Sequence, residues 1–297
     1  MSKTVFTGAA TAIITPLKED GIDFEAFGRL IDYQLREGIN ALVVAGTTGE
    51  GSTLTSKEHE EVISFCVRRV GGKVPVIAGS GSNDTAKAIE GTKRACAAGA
   101  DAVLLVTPHY NKTTQRGLIA HFTAIADASS VPCILYNVPS RTGLNMLPET
   151  LAVLADHEKI AAVKEACGNL SQVAKEMLLC GGRIDVYSGC DDQIVPTLSL
   201  GGKGIISVVG NILPGKTAEI CRRFFAGDVK GAAELQLSML SLMNQLMIET
   251  NPIPVKAACA AMGFGENILR LPLVEMEEGN RKKLLALMRE QGLEVQA

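Results

Sequence analysis

Short, uninterrupted apolar runs recur along the chain at residues 10–15, 41–45, 74–78, 102–106, 132–136, 160–164, 184–188 and 204–208. A run of four or five apolar residues between turn signals reads as a strand buried on both faces, as in a parallel sheet. Successive runs start 20 to 33 residues apart, which leaves room for one helix and two loops. Between the runs the period changes to that of a helix. Phe24, Phe27, Ile31 and Leu35 share one face, and Gly38 stands where a C-terminal cap belongs. Thr55 and Glu58 make a capping box ahead of Val62, Phe65 and Cys66. Eight such units predict an α/β chain closed into a (β/α)8 TIM barrel across residues 1–226, with the active site inside it. The competing open, doubly wound sheet lacks its nucleotide fingerprint, because Gly79-Ser80-Gly81-Ser82-Asn83-Asp84 has no third glycine. Past Val208 the strand signal stops. From about Lys216 the sequence reads as helix alone, notably at 229–249 and 280–291, so residues 227–297 are expected to form a C-terminal helical extension.

Composition narrows the classes. The 297 residues are 46% hydrophobic with a formal charge of -3, enough apolar material for a large core. No stretch approaches the roughly 18 apolar residues of a membrane span, and no basic block suits nucleic acid. The opening residues 1–7 lack a signal-peptide core. Eight cysteines are scattered without a Cys-x-x-Cys pair, which reads as reduced thiols in a cytoplasmic protein. The four histidines show no ligand spacing, so no metal is expected.

Barrel enzymes build their sites from the C-terminal ends of the strands. Lys164 closes the run Ile160-Ala161-Ala162-Val163 and brings an amine to such an end. Apolar walls disfavour the ammonium form, and a neutral amine attacks a carbonyl to give a Schiff base. The plainer alternative is a strand-end lysine that snorkels to solvent. Tyr136 lies 28 residues earlier, one βα unit away, so it is expected beside Lys164 as a proton shuttle or, more simply, as an aromatic lid. Thr47, within Gly46-Thr47-Thr48-Gly49-Glu50, offers a hydroxyl to orient the phenol proton. Gly46 and Gly49 let backbone N–H groups approach a carboxylate. Arg141 presents a planar fork that can clamp a carboxylate or make a rim salt bridge.

These segments, with Tyr136-Asn137-Val138-Pro139-Ser140-Arg141-Thr142-Gly143, Val163-Lys164-Glu165-Ala166 and Asn251-Pro252-Ile253-Pro254-Val255-Lys256, resemble the 4-hydroxy-tetrahydrodipicolinate (dihydrodipicolinate) synthase family of pyruvate-dependent class I aldolases. The resemblance spans residues 4 to 294. It implies a lyase of lysine and diaminopimelate biosynthesis that condenses pyruvate with L-aspartate 4-semialdehyde, without metal or organic cofactor, through an imine on Lys164. It implies that Tyr136, Thr47 and Tyr110 relay protons, with Tyr110 reaching into a neighbouring subunit of a dimer of dimers. Thr48 would bind the pyruvate carboxylate and Arg141 that of the semialdehyde, while Gly189 and the Ile206 backbone would line the pocket. Three positions depart from the pattern of lysine-inhibited members: Ser56 for a histidine, Lys87 for a glutamate, and His109 for a second tyrosine. A cation where lysine's ammonium would seat costs binding, so lysine inhibition is expected to be weak or absent. Cys167 and Cys190 near the mouth are expected either to slow the enzyme on alkylation or to be inert packing thiols.

A sister aldolase acting on a sugar acid, such as N-acetylneuraminate lyase, shares the lysine and tyrosine. Thr47-Thr48 and Arg141 favour a short charged aldehyde instead. Asp191 and Asp192 after the seventh run oppose a phosphosugar. A non-catalytic sensor that kept the barrel is a further alternative.

Overall fold

The computed structural model describes residues 4–296. Met1, Ser2 and Lys3, part of the segment on which the absence of a signal peptide was read, lie outside them. Eight parallel strands close into a barrel: β1 (Gly8–Ala12), β2 (Ala41–Val44), β3 (Val76–Gly79), β4 (Ala102–Val106), β5 (Cys133–Asn137), β6 (Ile160–Glu165), β7 (Asp185–Ser188) and β8 (Gly204–Ser207). Each pairs with the next in sequence, and β8 closes on β1 through Gly8↔Gly204 to Thr11↔Ser207.

Two strands sit off their apolar runs, for different reasons. β1 starts earlier than expected; Ile13 N still donates to the Val43 carbonyl at 3.0 Å, but residues 14 and 15 leave the ladder although they stay buried. Their backbone and side chains bond across the barrel mouth instead: Ile14 N donates to Asn211 Oδ1 at 3.0 Å, and Thr15 Oγ1 to the Gly49 carbonyl at 2.8 Å. β3 starts at Val76, because Pro75 has no N–H to give a ladder.

Several of the helices that connect the strands are capped by short polar side chains. α1 (Phe24–Arg36) begins on Asp23, which accepts from Ala26 N. α2 (Ser56–Val70) begins on Thr55, with Glu58 completing the reciprocal capping box. α3 (Thr85–Ala97), α4 (Gln115–Asp127), α5 (Pro148–Leu154), α6 (Leu170–Cys180), α7 (Ile194–Ser199) and α8 (Pro214–Phe225) follow. Three more helices complete the chain: α9 (Val229–Gln245), α10 (Ile253–Ala261) and α11 (Glu278–Glu290).

Apolar burial falls into two shells. The outer one lies between strands and helices and is built of large side chains such as Leu30, Ile63, Phe122 and Leu151. The inner one fills the barrel, largely with small or branched residues: Ala10, Ala41, Ala102, Ala162, Val43, Ile77 and Ile134. Small side chains are needed there because eight strands converge on a narrow axis. Phe6, just ahead of β1, stacks on Tyr187 with ring centroids 4.2 Å apart, and Tyr187 Oη donates to the Phe6 carbonyl at 2.7 Å. That plug closes one end, so the barrel is open to chemistry only at the other.

Candidate active site

The pairing of β5 with β6 sets Tyr136 opposite Lys164, and the pairing of β6 with β7 sets Lys164 opposite Tyr187. Side chains alternate along a strand, so residues in register at this level share one layer of the barrel. Lys164 is 5% exposed, and its Nζ stands 4.4 Å from the centroid of the Tyr136 ring. Burial pushes the Lys164 ammonium down to about 8, against the pull of Asp191 and Cys190 and with a push from Arg141. Burial drives the Tyr136 phenol the other way, up to about 12, so it keeps its proton at neutral pH. A lysine that sheds its proton readily therefore faces a phenol that holds one.

Above this pair opens a cavity of about 310 Å³. Its walls include Gly46, Thr47 and Thr48 after β2, Val138, Ser140 and Arg141 after β5, and Ala166 after β6. Gly189, Cys190, Asp191 and Asp192 come from beyond β7, and Val208 from beyond β8. Gly189 has a steric reason to be glycine. A Cβ there would stand 2.7 Å from Ala166 Cβ and 3.1 Å from Lys164 Cε, displacing the amine. Met243, Asn244 and Met247 roof the opening from α9 and the turn after it.

The loop carrying Thr47 and Thr48 is held from far away in sequence. Asn251 Nδ2 donates to Thr48 Oγ1 at 3.0 Å, which leaves the threonine's own hydroxyl proton to point elsewhere. Arg141 Nη2 donates to the Asn251 carbonyl at 3.1 Å. Glu50, buried at the end of the same loop, forms an ion pair with Lys256 of α10 and accepts from Arg270 N at 3.1 Å. These ties steady a strained backbone: Ala45 and Glu50 both sit in the left-handed region, at φ +54° and +52°, without being glycine.

The sequence-predicted residues divide by position. Lys164, Tyr136, Thr47, Thr48, Arg141 and Gly189 come together around one cavity. Ile206 does not reach it. It is fully buried in the inner shell, and Val208, two residues on and therefore one layer nearer the mouth, forms the wall instead. Tyr110 stands apart as well, 90% exposed at φ +65° in the loop after β4 and outside the walls of this cavity. Cys190 is a wall residue and Cys167 lies nearby on the loop after β6. Burial raises both thiols, to about 11 and about 12, which suppresses the nucleophilic thiolate. Ser56, Lys87 and His109 line a second cavity of about 540 Å³, which shares Thr47, Tyr136 and Arg141 with the first.

Sequence reasoning assigned no role to Asn251, and it treated Asp191 only as a bar to phosphate. Asp191 accepts from Val208 N and Val209 N at 3.1 and 2.9 Å, joining β7 to β8, while its field favours charge on Lys164. The methionine roof also went unread, because a thioether in a helical stripe looks like core.

The chain matches the model of the dihydrodipicolinate synthetase family over residues 5–291. It is 55% identical over 276 residues to a 4-hydroxy-tetrahydrodipicolinate synthase of Clostridium perfringens (strain 13 / Type A), covering 93% of this chain and 95% of that one. Among solved structures, it is similar to the dihydrodipicolinate synthase of Thermotoga maritima (TM-score 0.96, 43% identity, covering 97% of this chain and 99% of that one). It is likewise similar to the chloride-inhibited dihydrodipicolinate synthase of Acinetobacter baumannii in complex with pyruvate (TM-score 0.95, 41% identity, covering 98% and 100%). With the family model matched across nearly its whole length, the chain belongs to the dihydrodipicolinate synthetase family.

Proposed function

We propose that this chain condenses pyruvate with L-aspartate 4-semialdehyde to give 4-hydroxy-tetrahydrodipicolinate, a Schiff-base lyase reaction of lysine and diaminopimelate biosynthesis, with Lys164 as the amine. The observation that carries the assignment of roles is the pairing of a buried, easily deprotonated Lys164 with a protonated Tyr136 at the floor of an open cavity.

Neutral Lys164 attacks the keto carbon of pyruvate, and Tyr136 passes a proton to the departing hydroxyl as water leaves and the imine forms. Loss of a methyl proton turns the imine into an enamine. The enamine carbon attacks the aldehyde, and a proton reaches the new alkoxide. The product's own amine then adds to the imine carbon and expels Lys164, which restores the free enzyme. The lysine itself is the electron sink, so no cofactor is invoked, and turnover is expected to survive a chelator.

Thr48, its oxygen already occupied by Asn251, directs its hydroxyl at the pyruvate carboxylate. Arg141, exposed at the rim, takes the semialdehyde carboxylate, and Thr47 links the phenol to the mouth. Tyr110 is exposed and outside the walls of this cavity, which supports a second copy of the chain receiving it in a dimer of dimers. Eight free cysteines fit a reducing cytoplasm.

The direct test is pyruvate consumption with L-aspartate 4-semialdehyde, beside N-acetylmannosamine and glyceraldehyde as competitors. Consumption with the semialdehyde alone is expected. Consumption only with a sugar aldehyde would keep the Lys164 chemistry and overturn the substrate, and inactivity with all three would revive the sensor reading.

A further inference from the structure

Behind the β5–β6 edge that carries Tyr136 and Lys164 lies a buried polar cluster that the proposed chemistry does not use. The residues that follow that pair in the ladder, Asn137 and Glu165, are themselves paired. Asn137 is fully buried and Glu165 nearly so. Glu165 is well supplied with donors: Asn137 Nδ2 reaches both its oxygens, at 3.1 and 2.9 Å, and Cys167 N reaches Oε1 at 2.7 Å. Asn137 Oδ1 accepts from Met146 N at 2.9 Å, and its amide also reaches Asn145 Oδ1 at 2.8 Å.

On the far side, Glu176 of α6 is fully buried. Its Oε1 accepts from Gln172 Nε2 at 2.9 Å, whereas its Oε2 receives no donor from any N–H or hydroxyl. What Glu176 meets there is the carboxyl group of Glu165. Two ionised carboxylates do not share a dry contact. A proton between them turns the clash into a hydrogen bond and satisfies the stranded oxygen.

We propose that Glu176 is held as a neutral acid that donates to Glu165, and that this shared proton makes the two a positioning pair for the strand edge bearing Tyr136 and Lys164. The groups around it agree. Burial and the neighbouring Glu165 drive the Glu176 carboxyl up to about 9, with only Gln172 opposing. Cys167, on the loop after β6, and Cys180, on α6 itself, both have their thiols raised in part by this acidic pair, and Cys180 also feels Arg183 and Asp156. Tyr136, from β5, is raised in part by Glu165. Ionising Glu176 would therefore place a second negative charge behind the phenol and force α6 away from β6. A non-bonded Glu176 would leave Glu165, which Asn137 holds beside Tyr136, with one partner fewer.

The positioning half of the proposal rests on the roles given above to Tyr136 and Lys164; the proton itself does not. The first measurements are therefore independent of turnover. In the full-length protein at neutral pH, infrared spectroscopy is expected to show the carbonyl absorption of a buried protonated carboxyl that E176Q lacks. The linkage has a definite sign. A folded-state value raised above the ordinary glutamate range means the folded chain holds the extra proton, so stability falls as pH rises from about 5 to about 9. E176Q, whose amide donates to Glu165 at every pH, is expected to flatten the melting temperature over that window. The absence of the carbonyl band, or an unchanged slope in E176Q, overturns the shared proton.

Kinetics then test positioning. E176Q should keep kcat within about threefold of wild type, while E176M, which packs but cannot donate, should lose kcat about tenfold with KM little changed. If E176M melts cooperatively and keeps wild-type kcat, the pair is structural only. If E176Q is as poor as E176M, the donor role fails. If the chain is inactive with every aldehyde, the infrared and melting results still decide the proton.

Discussion

Among the described residues two lysines, Lys164 and Lys256, are buried, and they are held in opposite ways. Lys256, 1% exposed, meets the Glu50 carboxylate directly, so burial pushes its ammonium down while Glu50 pulls it back up. Lys164, 5% exposed, has no carboxylate within ion-pair distance among the described residues; Asp191 acts on it only at range, and its amine faces the Tyr136 ring. The first arrangement makes a fixed charge and thereby a latch, tying α10 to the loop of Thr47 and Thr48. The second leaves the charge dispensable. Burial alone does not make a lysine reactive; what separates the two is whether burial is answered by a counter-ion.

The same substitution at the two sites should therefore have opposite consequences. K164M is expected to lower turnover by at least about 10³-fold and to abolish borohydride trapping of a pyruvate adduct. Its melting temperature should stay level or rise, because an imperfectly satisfied amine has been replaced by a thioether of similar length. Mass spectrometry after reduction reads the first effect and calorimetry the second. Residual trapping in K164M would mean that another amine carries the imine.

K256M removes one partner of a buried pair and strands Glu50, which should cost about 3–5 kcal/mol of stability in denaturant titration. Where K256M stays folded it should still trap pyruvate, with KM raised more than kcat is lowered. The double variant E50L/K256M is expected to regain most of that stability, and failure to recover would show that the pair does more than neutralise itself.

The smallest effect is in pH. Lys164 must be neutral to attack, so imine formation should climb as pH rises toward about 8 and level off above it, a gain of about tenfold between pH 7 and 9. The corresponding stability term has the sign of a depressed lysine. Between about 8 and the ordinary lysine value the unfolded chain holds the extra proton, so this site adds stability as pH rises. A rate profile centred near the ordinary lysine range would show that burial does not prime the amine.

Much of this was legible in the chain because a parallel barrel buries both faces of every strand, which writes strands as plain apolar runs. The reading slipped where apolar character had another cause. Ile14 and Thr15 are buried while bonding to Asn211 and Gly49 rather than in a ladder, and Pro75 extends a run to which it brings no N–H. Lys164 and Tyr136 were readable as neighbours because their spacing of one βα unit is local information. Asn251 lies 203 residues from Thr48 and 110 from Arg141, so its contacts carry no spacing signal at all. Ile206 packs in the inner shell while the wall falls to Val208, just past the end of β8, a difference of two positions that spacing alone does not mark.

The dependence of the Thr47–Thr48 loop on Asn251, Lys256 and Arg270 also orders events in time. During synthesis the barrel's strands emerge first, N-terminus leading. All eight are made before the residues that lock this loop appear. A chain interrupted between β8 and α10 carries Lys164 but lacks the fastenings that set the Thr47–Thr48 loop. The competence proposed above therefore arrives late, with the last sixth of the sequence, and a prematurely stopped product has Lys164 without the ties that hold the loop beside it.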